Sequence, residues 1–221
     1  EICACLVGSE MCIRDRVHME ENMIITISRQ YGSGGSQVAK ILAERMGVWC
    51  YDRDILTIAA ERIGNEELTE DTINDLNYKR NDVASAGITG VMGMGNIPIY
   101  NQMFLEQAKI IRKLANYGSA VFLGRCADYI LKDIKNCTSV YLYADREFRK
   151  NRVKEIYGSN AEIMDKEEKN RADYYNYYTG NRWGDINNYD FAINTSKVSF
   201  EEAADLIYRF AKDKQKNLKD R

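Results

Sequence analysis

Apolar segments alternating with helical patterns predict an α/β protein, a parallel β-sheet of about five strands with helices on both faces. Three observations carry this. Residues 23–28 form a near-continuous apolar run, the kind buried on both sides in a parallel sheet, and lead directly into a glycine-rich turn and a helical pattern. Strand-like runs recur at 48–51, 120–123, 139–143 and 190–194 with helical patterns between them. Ser199-Phe200-Glu201-Glu202 is a capping box before a last amphipathic segment.

Taken in order, the first strand covers 23–28. A helix follows over 36–46, with Val38, Ile41, Leu42 and Arg45 in helical spacing, and Gly47 stops it. The short second strand, 48–51, precedes a helix over 52–63 ended by Gly64. Residues 69–81 are polar and read as helical; 84–97 are rich in glycine and methionine and read as a loop. A long amphipathic helix over 99–116 uses Met103, Ala108, Ile111 and Leu114. After strand 120–123, Gly124-Arg125 opens a helix over 126–132. Strand 139–143 precedes a basic helix from Asp145, in which Asp145 and Arg149 are spaced as an i,i+4 pair. Residues 158–189 are polar, charged and aromatic. Tyr174, Tyr177 and Tyr178 share a helical face there, suited to packing or a homodimer contact. The last helix carries Ala203, Leu206, Ile207 and Phe210 on one side. In such folds ligands sit at the carboxyl ends of the strands. Ser28, Tyr51, Leu123 and Tyr143 mark those ends, so Arg29, Asp52, Arg125 and Asp145 are expected at one edge of the sheet.

The length of 221 residues suits one domain, set at 23–215, with a small mobile subdomain and a charged tail over 216–221. A hydrophobic fraction of 45% supplies a core, and a net charge of −2 gives no reason to expect nucleic acid or an acidic membrane as partner. No apolar run is long enough to cross a bilayer. Residues 1–22 lack both helical and strand periodicity. The run Cys5 to Arg16 resembles a translated sequencing-adapter artefact, which places the expected native start at Met19 or Met23; the alternative is a disordered arm. His18 is the single histidine and falls in that segment. The rest of the chain therefore has no residue for a Ser-His-Asp or Cys-His mechanism or a His-containing zinc site. Cys50, Cys126 and Cys137 are scattered without C-x-x-C spacing and read as reduced thiols of a cytoplasmic protein.

The stretch Arg29-Gln30-Tyr31-Gly32-Ser33-Gly34-Gly35-Ser36, between a strand and a helix, is laid out as a phosphate-binding loop. The common pattern is G-x-x-x-x-G-K-[ST]. Here Gly35 stands at the lysine and Arg29 at the first glycine. Gly32, Ser33, Gly34, Gly35 and Ser36 would cradle phosphates. Ser36 is either a magnesium ligand or a plain N-cap. Arg29 leaves the same strand end and is the candidate to replace the lysine. With Arg125, Arg146, Arg149, Arg152, Arg171 and Arg182, the chain has the guanidinium forks that phosphoryl transfer needs for positioning and charge cancellation. Cys126, beside Arg125 at a helix start, is either a thiol of lowered pKa or a small packed side chain.

The loop, Val121-Phe122-Leu123-Gly124-Arg125, the strand Val140-Tyr141-Leu142-Tyr143-Ala144 with Arg146 and Arg149 after it, and Asp190-Phe191-Ala192-Ile193-Asn194-Thr195 resemble a bacterial cytidylate kinase. ITISRQYGSGG with Tyr51-Asp52 resembles more narrowly the cytidylate kinase-like family, a branch of the P-loop nucleoside monophosphate kinases. The resemblance covers about 23–212. It implies a P-loop kinase fold with a helical lid at roughly 146–182 and an acceptor-binding subdomain. It implies ATP and Mg2+ as donor and cofactor, and small-molecule nucleotides as substrates, with CMP converted to CDP. By the same resemblance Arg125, Asp52 and Arg171 face the acceptor nucleotide, and Arg149 and Arg152 begin the basic lid. Three features depart from the cytidylate kinase pattern: Gly35 at the loop lysine, Cys126 at the aspartate after Arg125, and 76–103 in place of the base-binding region. Two alternatives stay open: a kinase of this fold acting on another small acceptor, and a nucleotide-binding regulatory protein with little turnover.

Overall fold

The computed structural model describes residues 22–52, 99–158 and 161–220, with Ile55, Thr57, Ile58 and Glu61 as helical positions between. The segments expected as a helix over 69–81, a loop over 84–97 and an N-terminal arm before residue 22 lie outside the described residues, as does most of the helix expected over 52–63. The elements are β1 (Ile24–Arg29), α1 (Gly35–Met46), β2 (Cys50–Tyr51), α2 (Ile99–Tyr117), β3 (Ala120–Leu123), α3 (Ala127–Ile130), β4 (Cys137–Tyr143), α4 (Arg146–Tyr157), α5 (Ala161–Thr179), a 3-10 turn (Ile186–Asn188), β5 (Phe191–Asn194) and α6 (Phe200–Lys219).

The five strands make one sheet in the order β2-β3-β1-β4-β5, every pairing parallel. β1 is therefore the central strand. Its Ile27 pairs with Leu123 of β3 and its Arg29 with Leu142 of β4, which brings the carboxyl ends to one edge. Side-chain alternation along β1 feeds both faces. Ile25 and Ile27 join Val38 and Leu42 of α1 and Ala203 and Ile207 of α6. Ile24 joins Phe122, Ile111 of α2, Leu131 and Tyr175 of α5. Each fully buried aliphatic side chain stabilises the fold by about 1.5–3 kcal/mol. Arg45 and Asp205 pair across α1 and α6 at the rim of the first face.

Several elements differ from their expected bounds. β4 starts at Cys137, because Cys137 and Thr138 pair with Ile24 and Ile25. α3 is one short turn: Cys126 has φ 55°, in the left-handed region, and cannot be a helical residue. α5 lies in the stretch that showed only polar and aromatic character. Its charged residues Asp165, Glu167, Glu168 and Lys169 hide an inward face carrying Met164, Tyr174 and Tyr175. Tyr174 and Tyr177 both lie against Tyr178, at 4.8 and 4.9 Å, with Tyr174 buried and Tyr177 53% exposed. Ser199 accepts from the Glu202 amide at 3.1 Å, as its capping box requires, and α6 continues through the charged residues 216–219. Among the described residues no helix is long and apolar enough to cross a membrane.

Candidate active site

β1 ends at Arg29, and the chain turns through Gln30–Gly34 into α1. Gly32 (φ 82°) and Gly34 (φ 80°) hold left-handed conformations, and a Cβ at either would collide, with Val153 at 2.9 Å or Phe200 at 2.4 Å. Within the loop the Ser33 hydroxyl donates to the Gln30 carbonyl at 2.9 Å. The Thr195 hydroxyl, after β5, lies 2.7 Å from the Ser33 carbonyl and ties the far edge of the sheet to the loop.

Helices α4 and α5, which make up the span expected as a lid, hold the loop backbone from outside. The Arg149 guanidinium is buried and donates to the Ala144 carbonyl (3.2 Å) and the Tyr31 carbonyl (3.3 Å). It is not paired with Asp145 as the spacing suggested. Asp145 accepts from Lys197 at 2.7 Å and Asn194 at 3.1 Å, and its carboxyl is held down at about 2 by the Lys197 contact first and Asn194 next. Arg171 donates to the Arg29 carbonyl at 3.1 Å, and its guanidinium lies 5.0 Å from the Tyr31 ring centre. From α5 as well, the Glu168 carboxylate accepts from the Tyr31 amide at 2.6 Å.

Arg29 and Gly35 are fitted to each other. A Cβ at Gly35 would stand 2.6 Å from Cγ and 2.7 Å from Cβ of Arg29. The arginine stem thus fills the space in which a lysine at 35 would begin. Arg29 is 5% exposed, and its Nη2 lies 3.6 Å from Asp52 Oδ1 beyond β2. The sheet edge does bring these two expected site residues together.

Arg125, at the end of β3, is 2% exposed and has φ 59°; Cys126 follows with φ 55°. Two consecutive non-glycine residues in the left-handed region are strained by about 1–3 kcal/mol each, which their burial sustains. The Cys126 thiol is not lowered: burial pushes it well above its ordinary value, the Asp128 charge adds to this, and Arg125 opposes it. Cys126 is therefore the packed side chain of the two expected alternatives. Asp128, one turn on, is buried and accepts from Ser28 (3.3 Å) and Tyr175 (2.7 Å). Burial raises its carboxyl, with the Tyr175 and Ser28 hydrogen bonds opposing.

Arg152 is half-buried over the Phe200 ring at 4.6 Å, and its Nη2 lies 3.2 Å from the Gln37 amide oxygen when that amide also donates to the Gly34 carbonyl. Ser36 lies in the first turn of α1, half-buried. Among the described residues no three His, Cys, Asp or Glu side chains group to cage a metal. A magnesium ion held through substrate phosphates, water and one hard oxygen needs no such cage, so the Ser36 hydroxyl fits that role.

Sequence reasoning did not single out Glu168, Thr195 or Asp128. Glu168 sits among Lys166, Glu167 and Lys169, where charge reads as a solvated face. Thr195 was noted only as the end of a strand motif. Asp128 carried a usable signal: an acidic residue following a strand end in a helix start at the ligand edge of the sheet.

A profile of the cytidylate kinase-like family matches residues 24–197. No curated protein matches the chain. Among solved structures, an uncharacterized protein from Eubacterium ventriosum is 30% identical, with TM-score 0.63, covering 86% of this chain and 98% of that one. Two others share the fold at 15% identity and TM-score 0.50: a shikimate kinase from Acinetobacter baumannii in complex with shikimate (87% of this chain, 94% of that one), and a gluconokinase from Sinorhizobium meliloti (87% and 95%). The order of the five parallel strands, the loop after the central one and the matched span of 24–197 agree: the chain belongs to the cytidylate kinase-like family, with a P-loop kinase fold.

Proposed function

We propose that the protein transfers a phosphate from ATP, with Mg2+, to a small acceptor, a nucleoside monophosphate such as CMP. The observation that carries this reading is the contact between Arg29 and Gly35. The loop has lost its lysine, yet a permanent cation leaves the same strand end through the space a lysine would occupy. In this reading the loop amides of Gly32 to Ser36 and the Arg29 guanidinium hold the donor phosphates. The Ser36 hydroxyl would help to hold Mg2+, which when bound would supply charge neutralisation to the phosphates. Arg125 and Asp52 orient the acceptor at the next strand ends. An acceptor oxygen forms the new bond to the γ-phosphorus, the bond from that phosphorus to the bridging oxygen breaks, and ADP leaves with the bridging oxygen. Arg29 offsets the charge on the transferred group. Arg152, against Phe200 and the start of α1, is the α4 arginine assigned to the donor side. Arg149 and Arg171 serve the same step by holding the carbonyls of Tyr31 and Arg29, so that the loop amides keep their direction.

The test is a coupled ADP-release assay over nucleoside monophosphates, extended to shikimate and gluconate, the acceptors named for two proteins of the same fold, with nucleotide binding measured in parallel. CMP is expected to be the best acceptor. Arg29→Ala is expected to lower turnover by about 10²–10³-fold, the scale of one lost charge-stabilising donor. Undiminished turnover in that variant would remove Arg29 from the mechanism. Nucleotide binding without turnover on any acceptor would identify a regulatory nucleotide-binding protein instead.

A further inference from the structure

The Glu168 carboxylate makes two hydrogen bonds. One oxygen accepts from the Tyr31 amide of the phosphate loop at 2.6 Å. The other accepts from the Trp183 indole Nε1 at 3.0 Å. Tyr31 stands just before Gly32, at the start of the glycine-rich turn proposed to receive phosphate oxygens. A carboxylate from α5 therefore already supplies one anionic oxygen to that loop. Its partner Trp183 is not isolated: its ring lies 5.6 Å from Tyr141 and 5.2 Å from Tyr175, and Tyr175 donates to buried Asp128.

We propose that Glu168 is a resident anion of the phosphate loop, competing with the donor's phosphate, and that the phosphate's arrival displaces it and releases the Trp183 indole. This rests on the reading of Gly32 to Ser36 as a phosphate site. The physical argument is charge. A phosphate oxygen received by the amides next to Tyr31 would neighbour the Glu168 carboxylate held on the Tyr31 amide, and like charges that close repel even when partly solvated. Binding then favours the state in which the carboxylate has left the Tyr31 amide, while Arg171 keeps its hydrogen bond to the Arg29 carbonyl. A carboxylate with a purely structural role makes the opposite demand, since removing it would loosen the loop and weaken binding.

The sign of one measurement separates these. Inorganic triphosphate is titrated into the full chain by calorimetry, for the wild type and Glu168→Gln. Trp183 emission is followed in a Trp49→Phe background, which leaves Trp183 as the single tryptophan. Glu168→Gln is expected to bind triphosphate more tightly, by about tenfold, as removal of a nearby like charge requires. Triphosphate is expected to change Trp183 emission in the carboxylate form and to have little effect in the variant. Should Glu168→Gln fail to fold, Trp183→Phe, which removes a donor that holds the carboxylate in place, is expected to tighten triphosphate binding, because displacing the carboxylate then gives up one hydrogen bond fewer; weaker binding in that variant overturns the proposal. Equal or weaker triphosphate affinity in Glu168→Gln, with wild-type binding intact, overturns the proposal and leaves the phosphate-loop reading standing. Absence of triphosphate binding in both proteins overturns the two together.

Discussion

At Gly35 the absent side chain is as informative as a present one. Its Cβ would meet the near end of the Arg29 stem rather than its movable tip, so Arg29 cannot yield by a simple rotation. Gly35→Ala is expected to destabilise the protein by about 1–3 kcal/mol, the usual cost of overpacking. In an Arg29→Ala background the same change is expected to cost less but still to destabilise, because alanine removes the Cγ at 2.6 Å and keeps the Cβ at 2.7 Å. Urea unfolding of the four proteins of this cycle measures the coupling; additive effects would show that the two positions do not share space. For the same reason Gly35→Lys alone is expected to lower stability without raising turnover.

Among the elements, α4 and α5 matter most to the loop, and they were unequally legible. α4 was readable as a basic helix, but its Arg149 turns inward to carbonyls of Ala144 and Tyr31, a destination that no local spacing announces. β1, α1, β3 and α6 could be read because their signals are local: an apolar run, a glycine stop, a capping serine. The Glu168 contact could not be, because its two partners are 137 positions apart. Arg149→Ala is expected to cost about 1–3 kcal/mol by leaving one buried and one part-buried carbonyl without a charged donor. Arg149→Lys is expected to restore little of this, since one ammonium cannot reproduce the planar fork. Thermal unfolding, with triphosphate affinity measured beside it, checks both: a lysine variant of full stability would contradict the clamp.

For the molecule as a whole, buried Asp128 links the central strand, through Ser28, to α5, through Tyr175. Its carboxyl is raised in the folded state, so the native protein holds that proton more tightly than the unfolded chain. Its contribution to stability is full below the unfolded value, near pH 4, and is lost as pH rises through the folded value. Asp128→Asn is expected to flatten the stability profile over that window, as read by urea unfolding at a series of pH values; an unchanged profile would mean that Asp128 keeps an ordinary carboxyl in the fold. The parallel sheet and the edge formed by its carboxyl ends were legible from the alternation of strands and helices; the spatial order of the strands was not. Nor was the buried polar link through Asp128, because it depends on which helix covers which face.

The mutual exclusion of Arg29 and a side chain at 35 also constrains history. On the role proposed for Arg29, a loop with the lysine and a loop with this arginine would be two solutions to one requirement, but a chain carrying both is sterically blocked. Any route of single substitutions between them crosses a form with neither cation. The crossing is passable only where phosphate binding rests for a time on backbone amides alone, so ancestors on that route are expected to have bound nucleotide before they regained speed.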